Sequence, residues 1–138
     1  MRKLLAFLVL AAAFVACGHA QQTDSRLDFA FAQLKSNGAG PFARALFVSN
    51  PTAAQQLETQ LGPLVSNAGG YIGYDVLSQK PLTGRIDRYI VAIYYEKYPV
   101  FLRIDSYRSS EGRLFLPAIV SLDADKILPA ETLEVTGR

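Results

Sequence analysis

The sequence predicts an α+β fold, with N-terminal helices packed on a four-stranded antiparallel sheet. Residues 25–66 repeat apolar side chains at the spacing of an α-helix, whereas residues 71–122 are rich in β-branched and aromatic residues that alternate with period two. The links between the last three predicted strands are short, which favours antiparallel hairpins. Helices followed by antiparallel strands form separate layers, and 138 residues are enough for one such domain.

Three helices are predicted before the sheet. The first begins at Ser25 and ends at Gly38, and the second has Pro41 in its first turn, where a missing N–H is tolerated. Asn50 is the predicted N-cap of the third helix, because its side chain can accept a hydrogen bond from the first turn. The apolar stripes that predict the buried faces are Leu27, Phe31 and Leu34, then Phe42 and Leu46, then Leu57, Leu61, Leu64 and Val65.

Four strands are predicted after the helices. Pro117 cannot donate a backbone hydrogen bond, so it places the fourth strand at an edge or beside a bulge. Gly112, in the turn before that strand, suits a position with positive φ. The strands cover residues 71–77, 85–95, 100–107 and 114–122. Alternation divides the second strand between one face with Tyr89, Val91, Ile93 and Tyr95 and another with Arg88, Ile90, Ala92 and Tyr94.

Residues 1–20 have the pattern of a bacterial secretory signal. Arg2 and Lys3 precede a run of 13 uncharged apolar residues, and small residues then precede a polar stretch. This run is shorter than the ~20 residues that a membrane-spanning helix needs. Cleavage after Ala20 would release an exported protein, periplasmic or secreted, that begins at Gln21.

Cys17 leaves a second outcome open. The stretch from Phe14 to Cys17 resembles a lipobox, in which the cysteine is lipidated and holds the protein to a membrane face, although Phe14 stands where such boxes usually carry leucine. A membrane is therefore an expected partner only if Cys17 is lipidated. In either case the folded domain is expected at residues 21–128, with a loosely held tail at residues 129–138.

Cleavage of the signal changes the composition of the chain. Subtracting its 20 residues and their two basic side chains leaves 118 residues with 12 basic and 12 acidic side chains. Cys17 and His19 fall in the removed piece, which excludes thiolate nucleophiles, histidine triads and Cys/His metal sites from the processed form. No carboxylate spacing matches a calcium loop and no Gly-rich phosphate loop follows a strand, so neither a metal nor another cofactor is expected. A neutral domain also argues against a nucleic-acid partner.

Three segments resemble the NTF2-like superfamily of cone-shaped α+β domains. They are GGYIGY at residues 69–74, YEKYP at residues 95–99 and the Tyr107-Arg108 pair before Glu111-Gly112. The resemblance spans residues 26–128 and implies a curved sheet around a helix, as in small exported bacterial members without an assigned activity. The superfamily includes isomerases, dehydratases, polyketide cyclases and dimerisation modules, so the fold does not choose among them. A cystatin-like arrangement shares this plan and stays open as an alternative.

Tyrosines concentrated in the predicted strands have two interpretations. Six of the seven lie between residues 74 and 107. A pocket under the sheet, lined by Tyr74, Tyr89, Tyr95 and Leu102, would take a small apolar or aromatic ligand. Alternatively, the rings fill the core and a dimer seam, which is favoured because a closed cone needs bulky side chains inside it.

Both faces of the second and third strands carry apolar or aromatic side chains, more than a sheet covered on one side requires. The simplest cover for the second face is another copy of the chain, so a homodimer is expected. The candidate interface residues are Tyr94, Phe101, Arg103, Asp105 and Tyr107. Arg103 and Asp105 share a strand face and are expected to form cross-strand or interface contacts.

These observations predict an exported binding or interaction module that is dimeric and has no catalytic residues. An isomerase or lyase, implied by the resemblance, is the alternative. Such an enzyme would use a carboxylate as its base and a phenol as a hydrogen-bond donor. One of Asp75, Asp87 and Asp105 would then have to point into the cone, within reach of a tyrosine hydroxyl.

Overall fold

Three α-helices precede five β-strands in residues 24–128, which are the residues described by this computed structural model. The helices are α1 (Ser25–Asn37), α2 (Ala39–Leu46) and α3 (Pro51–Ser66). The strands are β1 (Tyr71–Pro81), β2 (Ile86–Tyr95), β3 (Pro99–Ser109), β4 (Gly112–Phe115) and β5 (Ile119–Ser121). The predicted α+β class is confirmed. The predicted signal at residues 1–20, with Cys17, and the predicted tail at residues 129–138 lie outside the described residues.

Side-chain caps determine where two of the helices begin. Asp24 caps α1, since its Oδ1 accepts a hydrogen bond from the backbone N–H of Arg26 at 3.0 Å. Asn50 caps α3 as predicted, and its Oδ1 accepts from the N–H of Ala53 at 3.0 Å. Each cap satisfies a backbone donor that has no partner within the helix.

The strands form one open antiparallel sheet in the order β1-β2-β3-β4, with β5 paired to β3. β4 lies beside residues 106–109 of β3, and β5 lies beside residues 101–103 of the same strand. The predicted fourth strand is therefore two short strands, separated by residues 116–118. Pro117 lies in this break at the sheet edge, where no strand pairing requires the backbone N–H that proline lacks.

The sheet has an inner face, which packs against the helices, and an outer face on the opposite side. The strands contribute to the inner face the buried side chains of Tyr89, Val91, Ile93, Tyr95, Val100, Leu102 and Ile104. The helices cover it with buried side chains that include Leu27, Phe31, Leu46, Leu57 and Leu61. The outer face of β2 carries the alternate residues Arg88, Ile90, Ala92 and Tyr94. The predicted division of this strand into two faces is confirmed.

The turn between β3 and β4 aligns two arginines. Gly112 has a φ of 121°, in the region that glycine adopts without strain, as the sequence predicts. The Ser109 hydroxyl donates a hydrogen bond to the carbonyl oxygen of Gly112 at 2.7 Å. In the resulting register Arg108 lies directly opposite Arg113, so both side chains project from the same face of the sheet.

Candidate functional site

One end of the inner face is polar. Asp87, near the start of β2, has a side chain that is only 6% exposed. Its Oδ2 accepts hydrogen bonds from Nη2 of Arg108 at 3.0 Å and from Nη2 of Arg113 at 3.3 Å. A buried carboxylate is tolerated when guanidinium groups compensate for its lost hydration, and the register of β3 and β4 delivers two of them.

Arg113 extends these contacts to the first helix. Its Nη1 donates to Oδ2 of Asp24, the α1 cap, at 3.2 Å, and also to the hydroxyl of Tyr89. Nε2 of Gln79 in β1 donates to the same hydroxyl at 3.3 Å. We call Asp24, Asp87, Tyr89, Arg108 and Arg113 the polar network. It ties the start of α1 to strands β2, β3 and β4.

Burial raises the pKa of Tyr89 above its ordinary value of 10.0. The Arg113 guanidinium opposes this shift, whereas the Asp24 and Asp87 carboxylates add to it. The phenol therefore keeps its proton at neutral pH and acts as a hydrogen-bonded neutral group. Tyr89 also packs edge-on against Phe115, with ring centroids 6.3 Å apart, which joins the polar network to the apolar core.

The three carboxylates considered for an enzyme lie on different faces. Asp87 faces inward, in the polar network with Tyr89. Asp75 and Asp105 lie on the outer face, opposite Ala92 and Arg88 in the register. Only one of the three therefore reaches the inside of the fold. Its bonds to two guanidinium groups suit a fixed structural anion better than a base that must accept a proton.

The four residues of the candidate pocket lie in the core or against it. Tyr89, Tyr95 and Leu102 are buried in the hydrophobic cluster between the helices and the inner face. Tyr74 packs at the β1 edge, where its ring stacks on Phe31 at a centroid distance of 3.8 Å and its hydroxyl donates to Asp28. Burial, and next the nearby Tyr71, raise the pKa of Tyr95 to about 12. Three of the four residues are thus core residues, and Tyr74 packs against them.

All five candidate interface residues share the outer face. The register pairs Tyr94 with Pro99, Ala92 with Phe101, and Ile86 with Tyr107, and it places Arg103 and Asp105 on the same side. Arg88 binds Asp105 through two hydrogen bonds, from Nε and Nη2, each at 2.8 Å. The bound guanidinium holds the pKa of Asp105 below its ordinary value of 3.8. The cross-strand partner of Asp105 is thus Arg88, rather than Arg103.

Sequence reasoning did not predict the polar network. Asp24 precedes the first helix and Arg113 lies 89 residues later, so no local pattern connects them. One signal was available. Arg108 and Arg113 flank a short turn, and two like charges placed opposite each other in a hairpin require a compensating anion nearby. The inward-facing Asp87 of the neighbouring strand fits that requirement.

Comparisons with known proteins identify no relative. No family model matches the chain, and neither a curated protein nor a solved structure shows significant similarity to it. Within residues 24–128 no group of three or more His, Cys, Asp or Glu side chains is arranged to hold a metal ion. No helix of the same region combines the length and hydropathy needed to cross a membrane.

Proposed function

We propose that the processed chain is an exported, non-catalytic interaction module of the NTF2-like kind, which forms a homodimer through the outer face of β2 and β3. The observation that carries this proposal is the aromatic outer face itself. Tyr94, Phe101 and Tyr107 are partly exposed on it, and the three helices of residues 24–128 all pack on the opposite face. Tyrosine, phenylalanine and arginine are enriched in protein interfaces, where they supply contact area and polar contacts together.

A second copy of the chain suits this face because the face carries both signs of charge. Arg103 lies near its centre, opposite Ile90; Arg88 and Asp105 face each other towards one end, and Asp75 lies opposite Ala92 towards the other. Two copies related by a two-fold axis can then place each cation near an anion of the partner. Arg88 and Asp105 already compensate each other, and a partner of strongly positive or negative charge would leave either Arg103 or Asp75 without compensation.

The inner face supports the non-catalytic part of the proposal. Its large side chains are buried, and its carboxylate, Asp87, is bonded to Arg108 and Arg113. The polar network therefore anchors α1 to the sheet. This anchor keeps the strands in register, and the strands present the interface on their other side.

An isomerase or lyase is a second candidate, favoured by one observation. Asp87 and Tyr89 both contact Arg113 inside the fold, so a carboxylate and a phenol lie in one network. Such an enzyme would need Asp87 to exchange its guanidinium partners for substrate. Replacement of Asp87 by Asn should then abolish any turnover of a ketosteroid or similar enolisable probe, whereas the interaction module turns over none in either form.

The homodimer is tested by light scattering of the protein obtained after expression of the whole chain in an exporting bacterium. We expect a mass twice that of the processed monomer, and a monomer for Phe101→Asp, since the new charge would be buried without a partner. Leu82→Asp is the matched control, because Leu82 is 44% exposed in the β1–β2 connection, outside the paired residues of β2 and β3, and should leave the dimer intact. A monomer for the unmodified protein over a wide concentration range would refute the dimer.

Export is tested on the same preparation by mass spectrometry of the intact N-terminus. We expect a chain that begins at Gln21. A lipidated Cys17 at the N-terminus would instead mean a membrane-anchored form with the same folded domain. An uncleaved chain that starts at Met1 would contradict export.

A further inference from the structure

A cleft of about 220 Å³ opens between the α2–α3 connection and β4. The α2–α3 connection lines one side with Phe47, Val48, Ser49 and Asn50, and residues 114–116 line the other. Val48 is 73% exposed, and Leu114 and Leu116 are also exposed, whereas Phe47 forms part of the core. The cleft thus combines a buried apolar residue at its base with exposed apolar residues at its rim. It is distinct from the interior lined by Tyr89 and Tyr95.

Arg26 lines the same cleft and supplies a positive charge. Its Nη1 donates to the backbone carbonyl oxygen of Arg113 at 2.6 Å, which fixes the guanidinium beside β4 and uses one of its five N–H donors. The neighbouring polar network sets two carboxylates, Asp24 and Asp87, against the guanidinium groups of Arg108 and Arg113. Arg26 therefore adds positive charge beyond what these two carboxylates balance.

We infer that this cleft binds a small carboxylic acid with a short apolar tail. The carboxylate pairs with the Arg26 guanidinium, which presents parallel N–H groups suited to two oxygens, and the tail lies between Val48 and Leu116. At ~30 Å³ for each water-sized group, the volume holds about seven such groups, close to the eight non-hydrogen atoms of a six-carbon acid. The inference does not depend on the homodimer, because the substituted residue, Val48, lies in the α2–α3 connection and is not a candidate interface residue.

The test is a titration of the isotope-labelled protein, prepared from the whole chain as above, with hexanoate and followed by the backbone amide resonances. We expect saturable shifts centred on Val48, Leu114 and Leu116, with a dissociation constant on the order of 1 mM, as suits so few buried atoms. Hexanol has the same tail without the charge. It should bind at least about tenfold more weakly, since its hydroxyl cannot form a bidentate ion pair.

A pair of variants at one exposed position separates charge from shape. Val48→Asp should weaken hexanoate binding by about tenfold or more through like-charge repulsion, whereas Val48→Lys should keep or strengthen it. Both changes are made at an exposed side chain, so both proteins should fold. The inference is overturned if hexanol binds as tightly as hexanoate, if the two variants lose binding equally, or if the shifts do not saturate or centre on other residues.

Discussion

The two faces of β2 and β3 consist of alternate residues of the same strands, yet they differ in what covers them. On β3, Leu102 points into the core and is fully buried, while its neighbours Phe101 and Arg103 lie on the outer face. The inner face is apolar along most of its length and polar at one end, where Asp87 is bonded. The outer face mixes aromatic and charged side chains around the small buried patch of Ile90 and Ala92. A strand thus serves the core with one set of residues, and we propose that the other set forms an interface.

The largest predicted effect comes from the inner face. Leu102→Ala should lower the free energy of unfolding by about 2–5 kcal/mol, because it leaves a cavity in a closely packed core. This loss should be the same at every protein concentration. Urea unfolding followed by circular dichroism at two widely separated concentrations measures it.

Phe101→Ala is the matched change one residue away. It should cost about 1 kcal/mol or less in dilute solution, and its deficit relative to the unmodified protein should grow with concentration, since the dimer stabilises only the folded form. An equal, concentration-independent loss at both positions would break the distinction between the two faces.

The polar network should contribute more to the free energy of unfolding than the Arg88–Asp105 ion pair of the outer face. Arg113→Gln should cost about 1–3 kcal/mol, because it removes partners from Asp24, Tyr89 and the buried Asp87 at once. Asp87 keeps its bond to Arg108, which limits the loss. Unfolding in urea at neutral pH measures the change, and a variant as stable as the parent would show that the network does not anchor α1.

Alkaline pH tests the burial of the inner-face tyrosines. The folded pKa of Tyr95, about 12, exceeds the ordinary 10.0, so the stability that its neutral form contributes is complete below pH 10 and is lost as pH rises towards 12. Tyr95→Phe should therefore flatten the fall in stability over this range. Urea unfolding at several pH values between 10 and 12 measures the slope, and an unchanged slope would place Tyr95 in contact with solvent.

The smallest effect is expected at the outer face. Arg88→Gln should cost about 1 kcal/mol or less at neutral pH, because the pair that it breaks is partly exposed. The folded pKa of Asp105 lies below 3.8, so the contribution of this pair is present above that pH and is lost as pH falls below it. The difference between the variant and the parent should thus shrink in acid. A difference that stayed constant down to pH 2 would mean that Arg88 acts through packing alone.

Much of the fold is predictable because its signals are local. The Asn50 cap, the alternation along β2 and the positive φ of Gly112 depend on residues within a few positions, and all three are confirmed. β1 continues to Pro81, beyond the predicted end at residue 77, because its last residues pair with the start of β2. The prediction stopped early because these last residues alternate poorly between apolar and polar side chains. The pairing with β2 joins residues 6 to 12 positions apart, so the residues of β1 alone do not reveal it.

The polar network and the cleft were not predictable for the same reason. Asp24 meets Arg113 only after three helices and three strands have been placed, and Arg26 reaches the carbonyl of Arg113 by the same route. The sequence did indicate that Asp105 would contact a residue across the strand or across an interface. It did not indicate which one, because a shift in register exchanges Arg88 for another residue.

The central claim, that a second copy covers the outer face, is tested most directly by cross-saturation between protomers. Deuterated, nitrogen-15-labelled chains are mixed with unlabelled chains, and aliphatic protons of the unlabelled partner are saturated. We predict that signal loss concentrates at the amides of residues 90–94 and 101–107 on β2 and β3. Loss confined to the helices, or absent throughout a sample that light scattering shows to be dimeric, would contradict the claim.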